Sequence, residues 1–365
     1  MTALLDLIDE IEDIKGDLRT AINNKGASLT SSTPFADYVT AVDNLPTAEA
    51  VLSKTLSGAQ TFNIQTLGSN GLSDNYNMTS ISLPSCTNVG ERAIQMCANL
   101  TSASLPVYEG WTLNITDNGN AELVYNGSGY YCFEGCINLT TAYLPSLKII
   151  PSDFFADCRA LTTLTATGIY GTCGSAFREY EEWEPDYHRV TQYDQMKNLG
   201  LNFMNYRYLH SMSDVLRDYI RDTDNNVTDT LTFSNLQYCQ ELFRYEDWDD
   251  PADPLYAITT VNVPDLRHIS DWSNNRWRVQ TLDLPNIRRL GNHSFDGCDA
   301  LTTINIGNKV TYIGWEAFSN CQNVETINID IDENTQDQTL IDDVINRAPW
   351  GLDQSVTINY TGSEE

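Results

Sequence analysis

The chain has 365 residues, 41% of them apolar, and a formal net charge of −29 at pH 7. That apolar share is enough for a core, so a wholly disordered chain is excluded, and the length suits two or three domains or one long stack. The acidity repels phosphate backbones and anionic headgroups, and no run reaches the roughly 18 apolar residues of a membrane span, so nucleic-acid binding and membrane insertion are set aside.

Residues 1–47 read as a helical segment. Leu4, Leu7, Ile11, Ile14, Leu18 and Ala21 fall on successive a and d places of three heptads, with Gly16 inside the run. A second helix is expected after Thr33 as cap and Pro34 in the first turn, with Phe35, Tyr38, Val39, Val42 and Leu45 on one face. The first helix either packs on the second or forms a short oligomerising coil, a trimer being the usual form in fibres. No basic-then-apolar export signal is expected at Met1. The stretch from Lys25-Gly26 to Thr33-Pro34-Phe35 and Tyr38 resembles a helical element near the start of tailed-bacteriophage structural proteins. That resemblance implies an anchoring or oligomerising role, carried by Leu4, Leu7, Ile11, Ile14 and Leu18, and other virion proteins as partners.

Residues 48–166 are periodic. A Cys-x-x-Leu unit recurs at Cys97, Cys136 and Cys158, and later at Cys239 and Cys298, with Cys321 in a close variant. Cys136 and Cys158 are 22 residues apart, Cys298 and Cys321 are 23 apart. Self-similarity at this period signals a solenoid, in which each repeat buries its apolar face against its neighbours. Equivalent residues one coil apart then stack about 5 Å from each other, so these thiols are expected to form a reduced internal column of small apolar fillers. Zinc is not expected, since no Cys-x-x-Cys pair exists and the four histidines are scattered.

Residues 167–257 lose the period and are rich in Tyr and Trp, so an irregular aromatic insert is expected there. Within it, 213–221 reads as a short helix capped by Ser213, followed by a strand at 230–233. Asp222, Asp224 and Asn226 begin like a calcium loop, but Val227 replaces the turn glycine and Phe233 the closing glutamate, so a polar turn is the better reading. The acidic loop at 247–253 reads as solvated. Tyr180, Trp183 and Tyr187 are candidate contacts for a glycan or other partner, since aromatic faces stack on sugars. Glu181, Glu182, Glu184 and Asp186 lie among them without the independent placement that sugar cleavage needs. His188, His210, His268 and His293 have no catalytic frame around them, so no enzyme and no cofactor are expected.

Residues 258–365 return to the period. Ile304 and Ile306 alternate with Asn305 on a short strand, Gly307 turns the chain, Val310 and Ile313 return it, and Phe318 precedes Cys321. A helix at 340–345, a break at 349–351 and a strand at 356–360 should cover the end of the stack. The repeat core is therefore assigned to Cys97, Cys136, Cys158, Cys298, Cys321, Ile304, Ile306 and Phe318. The fold class is an α/β solenoid: a stack of short parallel strands with an N-terminal helical segment and a helix–strand C-terminal cap.

The repeat units resemble the BspA-like leucine-rich repeats over 78–166 and 258–330. That resemblance implies a curved stack with a parallel sheet on one side, no catalytic residues, and surface, adhesion or recognition roles in bacteria and their viruses. Joined to the N-terminal element, it leads to the expectation of a bacteriophage structural protein, part of a tail or head fibre, located in the virion. It would be a homo-oligomer presenting a rigid surface to a host glycan, a host protein or a virion protein. The alternative is a leucine-rich repeat adhesin at a bacterial cell surface.

Overall fold

The computed structural model describes residues 56–116, 121–179, 191–244, 253–275, 277–352 and 355–362. The helices expected in 1–47, with Leu4, Leu7, Ile11, Ile14 and Leu18, lie outside the described residues, as do Tyr180, Trp183 and Tyr187.

Most coils contribute one strand to a front face and another, usually shorter, to the opposite side, with the core between them. The front strands are parallel and fall into three runs. Gly58–Thr61, Met78–Ser82, Ser102–Ser104, Thr141–Tyr143 and Thr163–Thr165 form the first. Thr230–Thr232 and Thr260–Asn262 form the second. Thr281–Leu284, Thr303–Ile306, Thr326–Ile329 and Thr357–Tyr360 form the third. The back sheet has nine strands, parallel from Ile149–Ile150 through Gly171–Cys173, Tyr208–His210, Tyr238–Gln240, His268–Ile269 and Arg289–Leu290 to Tyr312–Ile313. At its other end it takes up the antiparallel hairpin Trp111–Ile115 and Ala121–Tyr125.

The coil read from 301–321 folds as its alternation requires. Ile304, Ile306, Val310, Ile313, Ala317, Phe318 and Cys321 are all buried, and Asn305 points out of the sheet. Aromatic rings from the same place in successive coils stack: Phe133 on Phe155 at 5.6 Å, Phe155 on Phe177 at 5.7 Å, and Phe295 on Phe318 at 5.7 Å. Burying each ring is worth roughly 1.5–3 kcal/mol. The nine cysteines are free and buried. Four of the repeat thiols donate to carbonyls of the preceding coil: Cys97 to Leu72 at 3.1 Å, Cys136 to Ile94 at 3.2 Å, Cys158 to Phe133 at 3.1 Å and Cys321 to Phe295 at 3.0 Å. The thiol is thus both a filler of one small space and a weak tie between coils. Burial pushes the Cys136 and Cys132 thiols well up, which keeps them protonated.

The loss of period after residue 167 does not interrupt the stack. Gly171–Cys173, Tyr208–His210 and Tyr238–Gln240 continue the back sheet, and Thr230–Thr232 continues the front face. What changes is coil length. Cys173 and His210 are neighbours at a separation of 37 residues, Thr232 and Asn262 at 30, because helices replace the short returns. Helix α1 (Gln192–Asn198) is capped by Thr191, whose side chain accepts from the Asp194 N–H. Helix α2 (Ser213–Arg221) buries Val215 and Leu216 as expected, but Ser213 is its first residue and not its cap. The preceding Ser211, at φ 52°, gives its hydroxyl to Glu241 on the next coil, so the chain enters the helix from a tight corner. Tyr193, Phe203 and Tyr219 pack edge to face, building the helices onto the common core.

The polar turn after α2 is a cap and ion-pair site. Asp222 accepts from the Asp224 N–H, from Tyr193 Oη at 2.9 Å and from Lys197 Nζ at 2.5 Å. Among the described residues no cluster with metal-ligand geometry occurs. At the C-terminal end, helix α3 (Gln338–Asp343) begins two residues earlier than the sequence suggests, because Asp337 caps it by accepting from the Thr339 N–H at 2.9 Å. Trp350 is buried with Nε1 on the Val344 carbonyl at 3.0 Å, and Thr357–Tyr360 adds the last front strand.

Candidate recognition surface

The outer face of the third front run carries a regular polar array. Thr281, Thr303, Thr326 and Thr357 form one row in register, and Asp283, Asn305, Asn328 and Asn359 the next. Strand alternation dictates this: Leu282, Ile304, Ile327 and Ile358 turn toward the core, so both their neighbours face solvent. The amides are linked along the stack. Asn305 Nδ2 donates to Asp283 Oδ1 at 2.5 Å, Asn328 Nδ2 to Asn305 Oδ1 at 2.7 Å, and Asn359 Nδ2 to Asn328 Oδ1 at 2.8 Å. Asn262 Nδ2 donates to Thr232 Oγ1 at 3.1 Å in the same manner. Each side chain is held by its neighbour, so the face is ordered before any partner arrives.

Beside the array lies an open hollow of about 360 Å³ lined by Asp283, Pro285, Asn305, Gly307, Asn328, Asp330 and Thr361, among others. It is shallow and open, and most of the surface it exposes is apolar, with the amides of Asn305 and Asn328 and the carboxylates of Asp283 and Asp330 among its lining residues.

The outer face of the back sheet is aromatic. Trp111, Ile149, Cys173 and Tyr208 form a second buried cluster under the 111–125 hairpin. Trp111 packs edge-on against Tyr125 and Tyr130, and its Nε1 donates to the Ser128 carbonyl at 2.9 Å. Along the sheet Tyr238 stacks on His268 at 4.5 Å, and Arg289 lies over Tyr312 at 3.9 Å.

Cys173 Sγ lies 3.6 Å from His210 Nδ1, the spacing of a nucleophile and its base. The electrostatics run the other way. Burial pushes the Cys173 thiol up and the His210 imidazole down, so both rest neutral and no thiolate is formed.

The repeat-core residues expected from the sequence are all in the interior: Cys97, Cys136, Cys158, Cys298, Cys321, Ile304, Ile306 and Phe318 are each at most 4% exposed. They hold the surface in place and take no part in it. The polar array lies on the outward positions, which the inward aliphatic pattern does not reveal; the recurring Thr-x-Asn at 303–305, 326–328 and 357–359 is its signal.

Parallel strands stacked coil upon coil, an inward aliphatic ladder and a buried thiol column define a leucine-rich repeat solenoid. The sequence matches the BspA type leucine rich repeat region in six copies over residues 55–112, 125–182 and 256–341, and the chain belongs to that family. Solved structures with detectable likeness include a leucine-rich repeat protein from Bacteroides ovatus, at 13% identity and a TM-score of 0.32, covering 83% of this chain and 94% of that one. A leucine rich cell surface protein from Faecalibacterium prausnitzii is 14% identical with a TM-score of 0.20, covering 85% of this chain and 89% of that one. No curated protein matches the chain.

Proposed function

We propose that this chain is a non-enzymatic recognition protein of the bacterial cell-surface leucine-rich repeat kind, which presents its front face to a partner. The observation that carries the reading is the amide ladder from Asp283 to Asn359, an ordered polar array whose side chains brace one another without covering the surface. Membership of the BspA type repeat family supports it. A solenoid suits the task because its face is stiff and loses little freedom on binding.

The phage-appendage reading rests on the segment before residue 47, outside the described residues, and no comparison lends it support. The cell-surface alternative is therefore the one advanced. Two measurements test it. Protease shaving of intact producing cells should release peptides of this chain; its recovery only in sedimented virus particles would overturn the location. Purified chain should attach to target cells, and Asn305→Arg with Asn328→Arg, in protein whose circular dichroism shows the fold retained, should reduce attachment about tenfold or more. Attachment unaffected by both changes would remove the front face from the role.

A further inference from the structure

Two tryptophans stand out of the surface two coils apart. Trp272 is 54% exposed and Trp315 is 62% exposed, and His293 lies between them. Trp272 and His293 stack face to face with centroids 3.8 Å apart and planes 12° apart. Trp315 meets His293 edge to face at 5.1 Å and 87°. Trp272 and His293 occupy the same corner of successive coils, both with left-handed backbone at φ 55° and 49°, but His293 is buried beneath the two indoles while they stay exposed.

The strip is braced from behind. Asp271 accepts from the Asn292 backbone N–H at 2.8 Å and from Asn292 Nδ2 at 3.2 Å. Asn292 Oδ1 in turn accepts from the Trp315 N–H at 2.8 Å. His293 Nδ1 sits 3.6 Å from a carboxylate oxygen of Glu316. Trp272 is thus held by its stack on His293 and Trp315 by its backbone bond to Asn292, with the carboxylates of Asp271 and Glu316 next to them in the chain.

We propose that Trp272 and Trp315, at the corners that follow the back-sheet strands, form a binding strip for a neutral polysaccharide apart from the front face; this rests on the reading of the chain as a recognition protein. A sugar ring offers what the strip lacks. One face of a pyranose is a patch of C–H groups that packs on an indole, and its hydroxyls donate to carboxylates such as Asp271 and Glu316. The net charge of −29 disfavours acidic sugars. His293 fills the space between the indoles, so they make a strip and not a cage; a cation needs only one aromatic face, as Arg289 over Tyr312 shows, and a lysine-bearing peptide is therefore the competing ligand in the test.

The test is titration of the full chain with neutral gluco-, manno- and galacto-oligosaccharides, followed by tryptophan fluorescence and calorimetry, alongside a lysine-bearing peptide. At least one neutral oligosaccharide should bind, about tenfold more weakly to Trp272→Ala and to Trp315→Ala, with Trp315→Tyr recovering much of the loss. Both positions are exposed, so the melting temperature should not move, and a variant whose melt shifts is replaced by its Tyr counterpart. A silent neutral panel, or affinity unchanged in both alanine variants, overturns the proposal. Binding of the lysine peptide through Trp315 in place of sugar overturns it too. In either case cell attachment through the front face still reports separately on the recognition reading.

Discussion

Cys321 Sγ donates to the carbonyl of Phe295, 26 residues earlier in the chain, at 3.0 Å. The thiol fills a space one atom deep between coils and bonds across it. Cys321→Ala leaves a small void and removes the tie, at a cost of about 1–2 kcal/mol. Urea unfolding of the full chain should show the midpoint fall without a change in slope; an unchanged midpoint would sink the assignment.

All nine thiols are buried and none forms a disulfide. A thiol reagent added to the native protein should therefore modify almost none of them, and all nine after denaturation. Rapid labelling of several cysteines in native buffer would contradict the internal column.

Coils touch backbone to backbone at glycine. A methyl at Gly314 would come within 2.5 Å of the Asn292 nitrogen and the Gly291 carbonyl carbon, neither of which can rotate away. Gly314→Ala should cost about 1–3 kcal/mol through overpacking. Thermal melting of this variant, if identical to the parent, would refute the close approach.

The amide ladder begins at a carboxylate. Asn305→Asp would replace a donated hydrogen bond to Asp283 with a second negative charge, costing about 1–2 kcal/mol near neutral pH. The penalty should shrink on acidification as the new carboxyl protonates. A loss of stability that is the same at pH 4 and pH 7 would argue against the pairing.

His210 is held below the ordinary histidine value, chiefly by burial. The unfolded chain titrates near 6.5, so on acidification it takes up this proton before the folded chain does. The contribution to stability is thus complete above about pH 6.5 and is lost as pH falls toward the folded value. Between about pH 7.5 and 5 the parent should lose stability relative to His210→Gln as pH falls; parallel melting curves would exclude the effect.

Residue by residue, the repeat was readable where coils keep one length. The alternation at Ile304 and Ile306 and the thiols at Cys298 and Cys321 have no other way to be dry together. It was unreadable at 167–257, where helices α1 and α2 lengthen the returns while Tyr208–His210 and Tyr238–Gln240 still pair in order. Period is a property of loop length, whereas pairing depends only on the strands, so the one can vanish while the other persists. The Trp272–His293–Trp315 strip was hidden for a further reason. It is set by corner residues, Trp272 and His293 with left-handed backbone and Trp315 just before the left-handed Glu316, whose identities differ from coil to coil and leave no repeat to see.

The mixture of short and long turns of chain has a mechanical consequence. Each layer leans only on the two beside it, so the molecule can come apart by layers and need not fail all at once. A lesion placed in the middle, among the long layers around α2, should leave two flanking segments that melt at separate temperatures. Damage at the outer layer that holds Tyr360 should instead peel inward from that end.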